Sequence, residues 1–294
     1  MEFIYDLINY PHLARAAITA VAIGMVSGVI GSLIILRGLS LMGDAISHAV
    51  MPGIAVSFFF GANIFFGALI SGLLAAAGIG FVNTNSRLKR DTSIGIVFTA
   101  FLAAGVILLS RTESSVSLTA ILFGDVLTTR ATEMWQSISI TVLIIGLVVL
   151  FYKQLLITTV DPDVATAYGF PTKRIHYAVL IGLAIVTVSA VQTVGVILVV
   201  AMLVTPAATA YLLSKKFSTM MWLGALFGML SSIAGMYFSY AFNLQSGPAI
   251  VLTAFALFVL AFFFSPHQGY VWTQLHKRRD RRQVHDASRK APLP

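Results

Sequence analysis

Residues 41 to 55 read Leu41-Met-Gly-Asp-Ala-Ile-Ser-His-Ala-Val-Met-Pro-Gly-Ile-Ala55. Asp44 and His48 are the only ionisable side chains in the stretch, and their four-residue spacing puts both on one face of a helix. The surrounding residues are apolar enough to lie in a bilayer. There, a carboxylate and an imidazole are costly to bury and mark a functional path by default. One oxygen and one nitrogen ligand suit a divalent first-row metal such as manganese, iron or zinc. Two other readings stay open on the residues alone: a structural hydrogen bond between helices, or a proton relay.

Outward from this stretch the chain is apolar almost throughout. It has 294 residues, 58% hydrophobic and 10% charged, where a soluble domain carries about 25% charge. The composition is that of an integral membrane protein. The absence of cysteine excludes disulfides, thiol chemistry and Cys-based zinc sites. The first residues, MEFIYDLINYPHLAR, lack a basic n-region and do not read as a cleaved signal peptide.

Segments of about 20 apolar residues are long enough to cross a bilayer. They run from Leu13 to Leu36, Leu41 to Phe60, Ala62 to Val82, Ser93 to Leu109 and Trp135 to Tyr152. The run from Tyr177 to Leu213 fits two helices reversing near Gln192-Thr-Val-Gly195, and Met220 to Tyr240 and Pro248 to Phe264 follow. The fold class is an all-α polytopic membrane protein with about eight or nine transmembrane helices. Pro52 and Gly53 interrupt the second segment, and Ser117 to Leu127 reads as a further helix dipping in from outside. Gly24, Gly28 and Gly31, and likewise Gly67, Ala68, Ser71, Gly72 and Ala75, allow close helix approach in a tight bundle.

Loop charge sets orientation. Arg87, Lys89 and Arg90 lie in one loop, Lys153, Lys173 and Arg174 in another, and Lys215 and Lys216 in a third, each separated by two spans. Seven of the nineteen basic residues fall in the last eighteen positions, beyond the final span. All of these belong on the cytoplasmic side, so the C-terminus is expected there. The net charge of +8 is then a matter of anionic lipid and not of nucleic acid. The side of the N-terminus depends on whether the second segment spans. The division of the chain is a membrane domain over residues 1–266 and a basic cytoplasmic tail over 267–294.

Three other features carry chemistry. The loop Val160-Asp-Pro-Asp-Val-Ala-Thr-Ala-Tyr-Gly-Phe-Pro-Thr-Lys-Arg174 places Asp161 as an N-cap, Pro162 at the first helical position and Gly169 as a stop. It predicts a short surface helix whose small residues Ala165, Ala167 and Gly169 suit a partner's groove; an ordinary connector is the plainer alternative. Pro52 and Pro206 each lie in an apolar run, where proline kinks a helix and leaves a carbonyl without its donor. Glu113, Asp125 and Glu133, with Arg111 and Arg130, populate the outer segment 110–134, most simply as a solvated loop. His176, His267, His276 and His285 read as surface histidines. No GxxxxGK[ST] sequence is present, so ATP, if it drives transport, binds another subunit.

On these residues the sequence resembles the permease subunits of bacterial manganese/zinc/iron ABC importers. The likeness is carried by Leu36-Arg-Gly-Leu-Ser-Leu-Met42 with Gly43-Asp-Ala-Ile-Ser-His-Ala-Val-Met-Pro-Gly-Ile-Ala55, by Leu122-Phe-Gly-Asp-Val-Leu127, by Asp161-Pro-Asp-Val-Ala-Thr-Ala-Tyr-Gly169, and by Val194-Gly-Val-Ile-Leu198 with Pro206-Ala-Ala-Thr-Ala210. It covers roughly residues 10–266. The resemblance implies a fold similar to type II ABC importer permeases and a homodimer in the bacterial plasma membrane. It implies two cytoplasmic ATPase subunits, an extracytoplasmic metal-binding protein, and no permanently bound cofactor. Asp44 and His48 would be the intramembrane metal contact, and a coupling helix within 161–173, with Asp161, Asp163, Ala165, Ala167 and Gly169, would sit on the ATPase. The Asp-Ala-Ile-Ser-His-Ala-Val phrase is closer to the manganese branch, with Zn²⁺ or Fe²⁺ as alternatives. The competing expectation is a proton-coupled secondary transporter with Asp44 and His48 as the relay.

Overall fold

The computed structural model describes residues 2–111 and 126–265. Within them the chain forms helices and one 3₁₀ turn, with no strand. In chain order they are α1 (Glu2–Asn9), α2 (Pro11–Leu36), α3 (Met42–Ala49), α4 (Met51–Phe60), α5 (Ile64–Asn85), α6 (Arg90–Leu109), the 3₁₀ turn Val126–Thr128, α7 (Ala131–Leu150), α8 (Tyr152–Val160), α9 (Pro162–Ala167), α10 (Thr172–Val194), α11 (Val196–Leu213), α12 (Phe217–Phe242) and α13 (Ser246–Phe264). Counting α3 and α4 together as one span, nine segments among the described residues are long and apolar enough to cross a membrane. The expected helix over Ser117 to Leu127 falls almost wholly outside the described residues, as do Glu113, Asp125 and the tail 267–294.

Local chemistry explains the boundaries. Pro11 opens α2, where its missing N–H costs nothing. The Asn63 side chain accepts a hydrogen bond from the Phe65 N–H at 2.9 Å and starts α5. Glu133 reaches back to the Arg130 N–H at 3.0 Å and starts α7. Gly195, at φ +81°, separates α10 from α11, where the apolar run was expected to reverse. Several helices outrun their apolar segments; α6 begins at Arg90, not at Ser93, because a helix continues past the hydrocarbon into polar residues.

α2 is the centre of the bundle and packs on α7, α10, α11 and α12. Buried positions make up 72% of its most apolar stretch, against 17% for α6. The α2–α12 seam is glycine against glycine: a Cβ on Gly28 would lie 2.1 Å from the Gly224 carbonyl oxygen, and one on Gly24 2.4 Å from that of Gly228. Ser232 adds a hydrogen bond across the seam to the Ala20 carbonyl at 2.9 Å. Such contact lets dispersion and interhelical hydrogen bonds hold helices together where lipid gives no hydrophobic drive.

The second apolar segment does run across. Ser71 meets Ala49, a Cβ on Gly53 would strike the Gly67 carbonyl, and Ser57 meets the Asn63 carbonyl. Those pairs step down α5 as they step up α3 and α4, so the two lie antiparallel. With this segment spanning, α2 and α13 begin and finish on opposite sides of the bundle.

Candidate metal site and coupling helix

α3 has eight residues, of which Met42, Gly43, Ala45, Ile46, Ser47 and Ala49 are buried. The two that remain open are Asp44 and His48. Asp44 lies in the first turn, where the helix dipole favours a carboxylate, and His48 in the last. His48 Nε2 lies 3.5 Å from Asp44 Oδ1, with the His48 side chain 24% exposed and the Asp44 side chain 45%. The His48 ring stands edge-on to Phe98, centroids 5.7 Å apart. Phe98 is near the middle of α6, so the pair lies at mid-depth and not at the rim of the bundle. An ion bound to both atoms at about 2.1 Å would see them roughly 110° apart, within the range of an open coordination shell. Among the described residues no cluster of three or more His, Asp or Glu forms, so the side-chain ligands gathered here are these two.

The helix is interrupted directly after this pair. Sequence reading put the interruption at Pro52 and Gly53; the structure puts it at Val50, between α3 and α4. Proline acts upstream of itself, because it withholds a donor from the carbonyl four residues earlier, here that of His48. The Ser71 hydroxyl donates to the neighbouring Ala49 carbonyl at 2.6 Å. A Cβ on Gly105 would lie 2.6 Å from Met51 Cβ and 3.0 Å from Pro52 Cδ, so α6 offers a notch where the proline seats. Sequence reasoning took Ser71 for a small spacer and did not single out Phe98; no spacing rule links either to α3. Pro206, by contrast, sits inside α11, which stays one helix from Val196 to Leu213.

The predicted surface helix is α9. The Asp161 side chain caps it by accepting from the Val164 N–H at 3.0 Å, and Gly169, at φ +81°, follows its end. Asp161, Asp163, Ala167 and Gly169 are exposed. Ala165 departs from the expected small-residue face: it is fully buried, because a helix of six residues beside α8 and α10 must turn one side inward. Val164 and Tyr168 form the outward apolar pair instead and are 44% and 78% exposed, and Val160, the last residue of α8, is 72% exposed.

The model of the ABC 3 transport family matches residues 9–265. The manganese transport system membrane protein MntC of Listeria monocytogenes is 56% identical over 274 residues, 93% of this chain and 98% of that protein. The manganese import system permease protein ScaB of Streptococcus gordonii is 48% identical over 92% of this chain and 97% of its own length. Among solved structures, PsaBC from Streptococcus pneumoniae in complex with Fab superposes with a TM-score of 0.84 at 46% identity, covering 93% of this chain and 99% of that one.

Proposed function

The chain belongs to the ABC 3 transport family, and from that premise we propose how its geometry moves an ion. It is the membrane-spanning permease subunit of a metal-importing ABC transporter, with manganese the favoured cargo. Asp44 and His48 are the cargo's intramembrane contact. The observation that carries this role is their position as the only open side chains of an otherwise buried helix, with facing ligand atoms 3.5 Å apart at mid-depth. Two ligands per chain hold a divalent ion strongly enough to select it and weakly enough to release it. Manganese is the weakest binder of the first-row series, and a site of one carboxylate and one imidazole without thiolate suits it.

The pair opens beside α6 at Phe98. A second copy across a two-fold axis would bring a second Asp and His to the ion. The end of the bundle carrying Arg37, Arg90, Lys173 and Lys215 is the cytoplasmic one by the positive-inside rule, which also puts the C-terminus inside. There α9, presenting Val164 and Tyr168, seats on a separate ATPase subunit, so hydrolysis is not performed by this chain. An extracytoplasmic binding protein delivers metal at the opposite mouth. Family membership leaves the proton-coupled reading without support.

The test is metal accumulation in cells that express the chain with its ATPase and binding protein, Mn²⁺, Zn²⁺ and Fe²⁺ supplied separately. Asp44→Ala and His48→Ala should each abolish uptake of one metal while the ATPase still copurifies. Unimpaired uptake of all three in both variants would remove the pair from the ion's path.

A further inference from the structure

Arg37 follows the last residue of α2 and reaches across to the end of α8. Its Nε donates to Thr159 Oγ1 and its Nη2 to Thr158 Oγ1, both at 3.0 Å. The Thr158 hydroxyl donates in turn to the Gln154 carbonyl at 2.8 Å, which leaves its lone pairs aimed at the guanidinium. No carboxylate among the described residues lies within 4 Å of Arg37. Burial, and then the neighbouring Arg90, bring the guanidinium down to about 10, which leaves it charged at neutral pH. A half-buried cation paired only with two hydroxyls is an expensive way to hold a loop, since charged groups at such sites are ordinarily paired with acids.

What stands on either side gives it a use. Thr158 and Thr159 precede Asp161, the cap of α9, with one residue between. On the other side, the Arg37 carbonyl accepts from Arg90 Nη1, and Gly38, at φ +64°, turns the chain towards α3. Asp44 follows Arg37 by seven residues. The fork of the guanidinium fixes two donors in one plane, so it constrains the orientation of α8 as well as its distance.

We propose that Arg37 is a positioning residue that carries displacement of the helix Pro162–Ala167 to the segment bearing Asp44 and His48. The proposal rests on the reading of that helix as the ATPase seat and of that pair as the ion contact. When the seat moves, Thr158 and Thr159 move with it, and the guanidinium transmits the shift through the Gly38 turn to the start of α3.

The experiment uses the complete transporter with its ATPase and binding protein in proteoliposomes, reading Mn²⁺ uptake and ATP hydrolysis together. Arg37→Gln and the pair Thr158→Val/Thr159→Val are compared with the parent and with Asp44→Ala. Each should keep hydrolysis near the parent rate and raise the ATP spent per ion about tenfold, the scale of losing a charge-assisted hydrogen-bond pair. Combining them should add little, because both break one contact. The threonine variant keeps the arginine and the size of both side chains, so it decides the matter if Arg37→Gln does not fold. An unchanged ATP-to-ion ratio overturns the proposal, and so does a parallel loss of uptake and hydrolysis, which would make the contact one of assembly. Normal uptake in Asp44→Ala would instead overturn the ion-contact reading, whatever Arg37 does.

Discussion

Two spans of this molecule carry a proline in the middle of an apolar run, and they respond differently. α11 passes through Pro206 as one helix, whereas the second span stops at Val50 and restarts before Pro52. Each proline removes one donor, from the carbonyl of Met202 in the first case and of His48 in the second. What differs is the surroundings. α11 is pressed by α2 on both sides of its proline: a Cβ on Gly31 would lie 1.9 Å from the Leu203 oxygen and 3.0 Å from Ala207 Cβ. That leaves the backbone no room to turn. At Val50 the neighbours offer replacements: the Ser71 hydroxyl for one carbonyl and a notch at Gly105 for the ring. A proline opens a membrane helix only where the bundle supplies partners for what it exposes.

This contrast can be broken or sharpened by substitution. The largest effect is expected from Gly31→Leu, which drives a side chain into the Leu203 carbonyl. It should cost about 3 kcal/mol or more, read as lost yield of folded protein from the membrane and a lower melting temperature. A normal yield would mean that α11 is not held by α2. Ser71→Ala should be milder. It strips the Ala49 carbonyl of its buried partner, at a cost of ~1–2 kcal/mol. Uptake should fall several-fold while the protein remains folded, and full uptake would mean that water replaces the hydroxyl. The smallest effect is the difference between the prolines themselves. Pro52→Ala gives His48 back its donor, joins α3 to α4 and turns the pair, so metal uptake should drop at unchanged protein level. Pro206→Ala restores a bond in a helix that is already continuous and should leave uptake within about twofold of the parent. The reverse order would place the working hinge in α11.

Much of this was legible in the sequence, because the bilayer enforces long apolar helices. The spans are readable as stretches of hydropathy, and even the reversal at Gly195 follows from a run too long for one helix with a single glycine near its middle. Asp44 and His48 are readable because charge in such a setting is rare and a four-residue spacing fixes their common face. The placement of the break at Val50 was readable only to within a turn, since proline's effect lies upstream of it. Ala165 was misplaced because a six-residue helix has a buried side that spacing alone does not identify. Arg37 is readable only as part of the Leu36–Met42 stretch, for its partners lie more than 120 residues away. Ser71 meets its carbonyl across 22 residues. Contacts of this kind are set by how helices pack, and no periodicity announces them.

The odd number of candidate crossings among the described residues has a consequence for how such a bundle could be duplicated. With nine of them, the first starts on one side of the bilayer and the last finishes on the other. Two such bundles cannot be joined head to tail by a simple linker, because the exit of one and the entrance of the next are separated by the full thickness of the membrane. A fused double-length version would need a tenth crossing, or would have to lose one. Parity of this kind therefore works against a tandem fusion of the bundle with itself.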